Sequence, residues 1–562
     1  MVDILTDTGV FLDLDPDAEF ELTIENPLLQ EDRIPVPFST AISFLPTSAN
    51  KAVFGYLDTM MLEPRVKQLG AAILVGGVQL YAGSLIYDSI DEDGRISYTF
   101  SGKDLQTEWG AKIWEISGLE LEGNDYTAIL NALKADTVPG IHLPPVVDAA
   151  LTGEPGFRPT PTDYRPGRSQ MNYNRKYRNQ PDATDFQDLV PAVEIGRLLG
   201  AAVSLSDVPD ASEFLQRAVV FGTWWTSGKP MTKNGRAYYN VAETLPDITL
   251  ADLLLDVCLI FCAAVFQDGN RLRLISASEV LAGSAPLDWD QRVSDRFRSS
   301  REERSGYELG FGGDESENAA QGAVDEKKDT LSGVLGSAKE EYLAIEHSGL
   351  ADLYSLKAAD QVSIQYDGTR TVETIGITHE ILIDRIDRVS AKQEAEGTDE
   401  MHSVSVGLRL AKCAPVRRYW KVFTTTFTLV SDIRMAAILS LPAYGGERPK
   451  EAYIALCSGN QASDKGVIIA DPDSAGSADQ DLGVSLSPDA LFAQYHQAYA
   501  AWLAKDRQLL SVDLDLTPFE LASFRMWQAV RVRSRNFLVS KLSVRVNASS
   551  EGVDVSADLI SL

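Results

Sequence analysis

Phe20, Leu22 and Ile24 alternate with Glu21, Thr23 and Glu25, a period of two that predicts a half-buried strand. The apolar runs 73–75 and 78–81 flank Gly76-Gly77, a pair able to supply the positive φ angles of a two-residue hairpin turn. After a further run at 85–87, Asp93-Gly94 marks another turn, and Ile96, Tyr98 and Phe100 alternate beyond it. The first part of the chain therefore reads as a meander of strands. Between 138 and 190 the pattern stops, and prolines 139, 144, 145, 155, 159, 161, 166 and 181 predict an irregular, extended arm.

Helical signals follow. Pro191 near a first turn and Gly200 as a stop predict a helix over 193–199. Thr249 with Asp252 forms a capping box, and 253–261 is apolar almost all round, so that helix should be buried against a sheet. It leaves through Asp268-Gly269-Asn270 into a strand over 271–275. The Gly-, Ser-, Asp- and Glu-rich stretch 310–338 predicts a mobile loop. Strand alternation resumes at Val362, Ile364 and Tyr366, and again from His402 to Leu410. Ser487-Pro488 opens a last helix with the stripe Leu491, Tyr495, Tyr499 and Trp502, and alternating residues over 537–546 and 553–559 form a closing hairpin.

The fold class that results is α+β, predominantly β, multidomain, with tandem β-barrel-like bodies and a few packed helices. The segments are a β-rich barrel-like domain (1–137), a Pro-rich arm (138–190), a helix-plus-hairpin domain (191–285), a second β-rich domain (286–412) and a carboxy-terminal α+β domain (413–562). A length of 562 residues suits several domains. With 51 Lys and Arg against 81 Asp and Glu, the net charge of −30 has the wrong sign for a general nucleic-acid clamp. The amino terminus carries no basic cluster before an apolar core, so no export signal is expected. The apolar run 253–266, interrupted by Asp256, is shorter than the ~20 residues of a membrane span, so no stable membrane insertion is expected. Cys258, Cys262, Cys413 and Cys457 lack paired CxxC spacing, which fits assembly in a reducing cytoplasm.

Motif chemistry is sparse. None of the five histidines lies in an HExxH pair, and Cys258 and Cys262, four apart on an apolar helix, have no neighbouring ligand and read as core. The stretch 222–229 has one residue too many for a phosphate loop, and Pro230 stands where Ser or Thr would meet magnesium. The acidic groups at Asp13, Asp15 and Asp17, at 91–94 and at Asp471 and Asp473 read as solvated turns. Phe100 and Leu482 occupy the closing position of the last two would-be calcium loops. No catalytic, cofactor or metal residue is assigned. The arm offers Tyr164, Arg165, Arg168, Tyr173, Arg175, Lys176, Tyr177 and Arg178, a basic aromatic set suited to an acidic neighbouring subunit or to stacking on nucleic acid. In an acidic chain, protein docking is the plainer of the two.

The serial order of strand-rich opening, arm, buried helix with hairpin, second β body and closing helix plus hairpin resembles the baseplate hub, or tail-associated hub, proteins of tailed bacteriophages. The strand at 20–25 followed by Asn26-Pro27, then Pro37-Phe38-Ser39 and 46–50, is similar to hub openings in phages and prophages of Bacteroidetes hosts. Further likeness lies in Leu189-Val190-Pro191, in 249–275, and in 495–503 with the strands over 537–559. The resemblance implies a homotrimeric ring without a cofactor, located in the virion after assembly in the host cytoplasm. It would join the tail tube or distal tail protein to the tip or spike, and pass the tape-measure protein and DNA. Like charge along such a passage would repel phosphates, although acidity also serves plain solubility. The alternative is a surface-acting glycan-binding protein or glycoside hydrolase, using paired carboxylates with Trp224, Trp225 and Trp289.

Overall fold

The computed structural model describes residues 2–30, 33–55, 65–91, 93–102, 110–144, 146–148, 172–173, 189–200, 211–224, 231–268, 271–311, 353–366, 370–384, 390–410, 412–422, 426–438, 447–458, 468–469, 485–548 and 553–562. It is mostly β, with several antiparallel sheets and few helices.

The largest sheet has 13 strands. Seven come from the amino-terminal segment: β1 (Val2–Thr6), β2 (Phe11–Leu12), β3 (Glu19–Glu25), β4 (Phe38–Phe44), β5 (Gln68–Val75), β6 (Val78–Ile90) and β7 (Ile96–Gly102). They lie in the order β2-β1-β5-β6-β7-β4-β3. Gly76 and Gly77 turn β5 into β6 with φ of 58° and 77°, the two positive values the sequence calls for. Phe20, Leu22 and Ile24 point into the core as their alternation requires.

Beyond β3 the sheet continues into the other end of the chain. The strand Arg535–Asn547 pairs antiparallel with β3, setting Phe20 opposite Val546, Leu22 opposite Val544 and Ile24 opposite Leu542. Val553–Ser561, Arg507–Leu514 and finally Val293–Glu302 follow in hydrogen-bonded order. Segments read from the sequence as separate first and last bodies thus share one sheet. The helix Pro518–Ser523 packs against β6, and one apolar cluster joins Ile4, Phe20, Tyr98, Val512, Val544 and Leu559. Expected barrels are replaced by an open strand order, since no continuous ladder closes on itself among the described residues. The nearest approach is a bridge from Leu14 to Phe44, which brings the chain after β2 back to β4.

A second core surrounds the helix Leu250–Ile260. Its box is made as predicted: the Thr249 hydroxyl accepts from the Asp252 N–H at 3.0 Å, and the Asp252 carboxylate accepts from the Thr249 N–H at 3.1 Å. The following hairpin, Ala263–Asp268 with Arg271–Ser276, also forms. Around it stand a sheet containing Ile141–His142, Ala192–Glu194, Ala218–Phe221 and Tyr453–Ser458, and a small sheet of Gly306–Phe311, Ser390–Gln393 and Met401–Val406. A separate six-stranded sheet includes Leu353–Tyr366, Arg370–Asp384, Lys412–Val422 and Thr426–Ile438, and gains Val146–Asp148 and Asn172–Tyr173 at its edge.

Three local expectations change. The helix expected over 193–199 starts at Ile195, because Ala192 and Val193 are fully buried in a strand held between Ile141–His142 and Ala218–Phe221. The arm is not wholly irregular: short strands form at Ile141–His142 and Val146–Asp148, on either side of Pro144, whose missing N–H falls outside the ladders. The last helix is not uniform, since Phe492–His496 forms a π-helical turn between Pro488–Leu491 and Gln497–Leu503. Of the loop expected over 310–338, Gly310 and Phe311 belong to the strand Gly306–Phe311, and the rest lies outside the described residues.

Asn26 fastens the shared sheet. It is fully buried, and its amide donates to the Met526 carbonyl at 2.9 Å and the Val539 carbonyl at 2.7 Å. Its side-chain oxygen accepts from the Leu28 N–H at 3.0 Å, and its own N–H donates to the Ser540 carbonyl at 2.9 Å. Asn26→Ala strands two buried backbone groups and one half-buried carbonyl, so it should cost about 2–4 kcal/mol, read as a lower denaturant midpoint at unchanged slope.

Candidate functional site

Of the arm residues, Tyr173 lies in a two-residue strand whose backbone pairs with Val146. Tyr164, Arg165, Arg168, Arg175, Lys176, Tyr177 and Arg178 lie outside the described residues. Trp289 is 5% exposed and packs on Phe524 at 5.1 Å. Trp224 lies under the Arg448 guanidinium, 4.2 Å from its ring centroid, while Trp114 takes the other contact at 4.5 Å. These two tryptophans are held by protein groups rather than presented as a sugar platform. Trp225 lies outside the described residues.

The acidic turns are likewise engaged. Asp15 is buried and pairs with Arg95 at 2.9 Å, Asp13 accepts from the Thr47 hydroxyl at 2.7 Å, and Asp91 accepts from the N–H groups of Asp93 and Arg95. Asp471 and Asp473 lie outside the described residues. No grouping of three or more metal-ligating side chains occurs among the described residues. Cys258 is buried, and desolvation raises its thiol above the ordinary range, as expected of a core residue.

Three buried polar groups and one half-buried arginine went unread in the sequence as structural ties. His142 lies between Asp136 and Glu194, its Nδ1 2.7 Å from one carboxylate and its Nε2 3.0 Å from the other. Burial pulls its pKa down, but the two carboxylates prevail and raise it to about 9, so the ring is an imidazolium donating on both sides. His496, on the π-helical turn, is the opposite case. Burial lowers it to about 4, its Nε2–H donates to the Ile260 carbonyl, and its Nδ1 accepts from the Tyr307 hydroxyl at 2.8 Å. Asp256 is pushed up to about 7 by burial, against the N–H of Gly407, which it accepts at 2.5 Å. Arg448 donates to the Glu243 and Leu245 carbonyls from between its two tryptophans. Each ties separate elements together.

The surface of greatest interest is the strand Val293–Glu302. It pairs with Arg507–Leu514 and has no second neighbour among the described residues. Residues 295–301 are all exposed, so both faces and the outer backbone edge are open. Arg296 and Arg298 make no ion pair or side-chain hydrogen bond among the described residues, whereas Arg301 pairs with Asp506. Phe297 is 46% exposed with the Arg533 guanidinium 3.9 Å above its ring. Arg533 and Ser534 turn the chain with φ of 51° and 63°, values that non-glycine residues rarely adopt.

The imidazolium of His142 makes stability depend on pH in a defined window. Its folded pKa lies above the ordinary 6.5, so the contribution is whole below pH 6.5 and is lost as pH rises through about 9. Denaturant titrations should show the wild type losing about 2–3 kcal/mol more than His142→Asn between pH 7 and 9.5. Parallel curves for the two proteins would contradict the assignment.

No family model matches the chain, and no curated protein does. Among solved structures, the 43 kDa tail protein of prophage MuSo2 from Shewanella oneidensis aligns over 100% of this chain and 98% of its own, at 8% identity and a TM-score of 0.36. The tail protein of Neisseria meningitidis MC58 aligns over 100% and 96%, at 9% identity and a TM-score of 0.31. Both are described as tail proteins, the first of a prophage, and both scores lie below the level that establishes a common fold.

Proposed function

We propose that this chain is a structural subunit of a phage tail, a hub in which three copies form a ring between the tail tube or distal tail protein and the tail tip. The observation that carries the reading is the open strand Val293–Glu302. A subunit that works alone has reason to cover or pack such an edge, whereas a subunit of an assembly can leave it for its neighbour. The serial pattern from Asn26-Pro27 to the closing hairpin supplies the type of assembly, through its likeness to tail hubs. The described ionisable groups support a scaffold, since His142, Asp256, His496 and Arg448 hold elements of the fold together. A lumen for DNA and tape-measure protein, a spike below and a place in the virion all belong to this proposal. The charge of −30 per chain would keep nucleic acid from adhering to such a lumen.

Native mass measured over a wide concentration range, with negative-stain images, tests it. The expected outcome is a species near three times 61.4 kDa with a threefold outline and a central opening. A monomer at every concentration that also fails to bind tail-tube or distal tail protein would overturn the reading.

A further inference from the structure

An edge strand of a large sheet normally packs one face, so that exposed and buried residues alternate. Val293–Glu302 does not alternate, although its ladder partners Leu510 and Val512 are buried on the inner face. Its two faces differ: Phe297 lies on the face it shares with Val512, under Arg533, while Arg296 and Arg298 lie on the opposite face. In a chain of charge −30 this is a local reversal of sign.

The far end of the same strand order carries the complement. Phe11, in β2, is 57% exposed, and Asp7, Asp13 and Asp17 around it in sequence are exposed too. Asp7 and Asp17 make no side-chain ion pair or hydrogen bond among the described residues. One sheet thus ends in a phenylalanine among arginines and begins in a phenylalanine among aspartates.

We propose that these two ends are the halves of one contact between copies of this chain. Val293–Glu302 of one copy docks edge-on against the β1–β2 corner of the next, the face of Arg296 and Arg298 against its aspartates and the face of Phe297 against Phe11. Because the two patches differ, the contact is heterologous, and repetition closes a ring when the rotation permits. A second copy is the occupant because both halves reside on one chain, and because each contact removes unpaired cations and excess anions together. The inference rests on the hub reading for the assembly of copies, and adds the surfaces that make it.

A charge swap tests it. Arg296→Glu with Arg298→Glu, and separately Asp7→Lys with Asp17→Lys, should each weaken assembly at least about tenfold in dissociation constant while leaving thermal melting of the subunit unchanged. All four substitutions in one chain restore opposite charges across every contact, and should recover affinity to within about threefold of wild type. Reversals that assemble like the wild type, or a fourfold variant no better than either pair, would overturn the contact while a wild-type ring left the hub reading standing. A wild type that stays monomeric, yet binds tail-tube protein, would overturn the contact alone. A wild type that does neither would overturn both.

Discussion

The ladder between β3 and Arg535–Asn547 is the contact on which the rest of the large sheet depends. On one side of it lie the strands of the amino-terminal meander, on the other the closing hairpin and the edge strand Val293–Glu302. By contrast, the ladder of β3 with β4 spans only Leu22 and Thr23. Asn26 sits at the end of this seam, where its amide holds carbonyls from two later segments and its oxygen starts the turn at Pro27–Leu29. A buried amide fully supplied with partners is worth far more than its net hydrogen-bond energy suggests, because every alternative leaves several backbone groups without water.

The second core shows the same logic applied to charge. An acidic chain repels itself, and its interior admits ionisable groups only where the surroundings decide their state. His142 is held charged by two carboxylates, and His496 is held neutral by burial and by two partners that suit one tautomer. Arg448 keeps its charge between two aromatic faces, with carbonyls at its edge. These are solutions to assembling many short elements, since each such group joins segments far apart in sequence.

What the sequence made legible was local. The alternation at Phe20, Leu22 and Ile24, the glycine pair at 76 and 77, the box of Thr249 and Asp252, and the stripe from Leu491 to Trp502 each carry their cause within a few residues. Partnerships across the chain carry no such mark: nothing near Phe20 points to Val546. The π-helical turn at Phe492–His496 kept the helical spacing of its apolar stripe and so was invisible. Ala192–Glu194 was too short to show a period and became a strand through its neighbours. The edge strand escaped for the reason that makes it a candidate surface. With neither face buried, Val293–Glu302 needs no apolar alternation, and the pattern that finds strands finds nothing there.

The seam at Asn26 also has a timetable. Asn26 and Val539 are 513 positions apart, so at ribosomal rates the first waits about half a minute to nearly two minutes for the second to be made. Through that interval the β1–β2 and β4–β7 meander can form, while the outer edge of β3 lacks the strand it pairs with in the finished sheet. A nascent chain in that state is adhesive, and several of them on one message lie close together. The cell's protection of newly made chains, rather than the finished protein's stability, then decides how much of it matures.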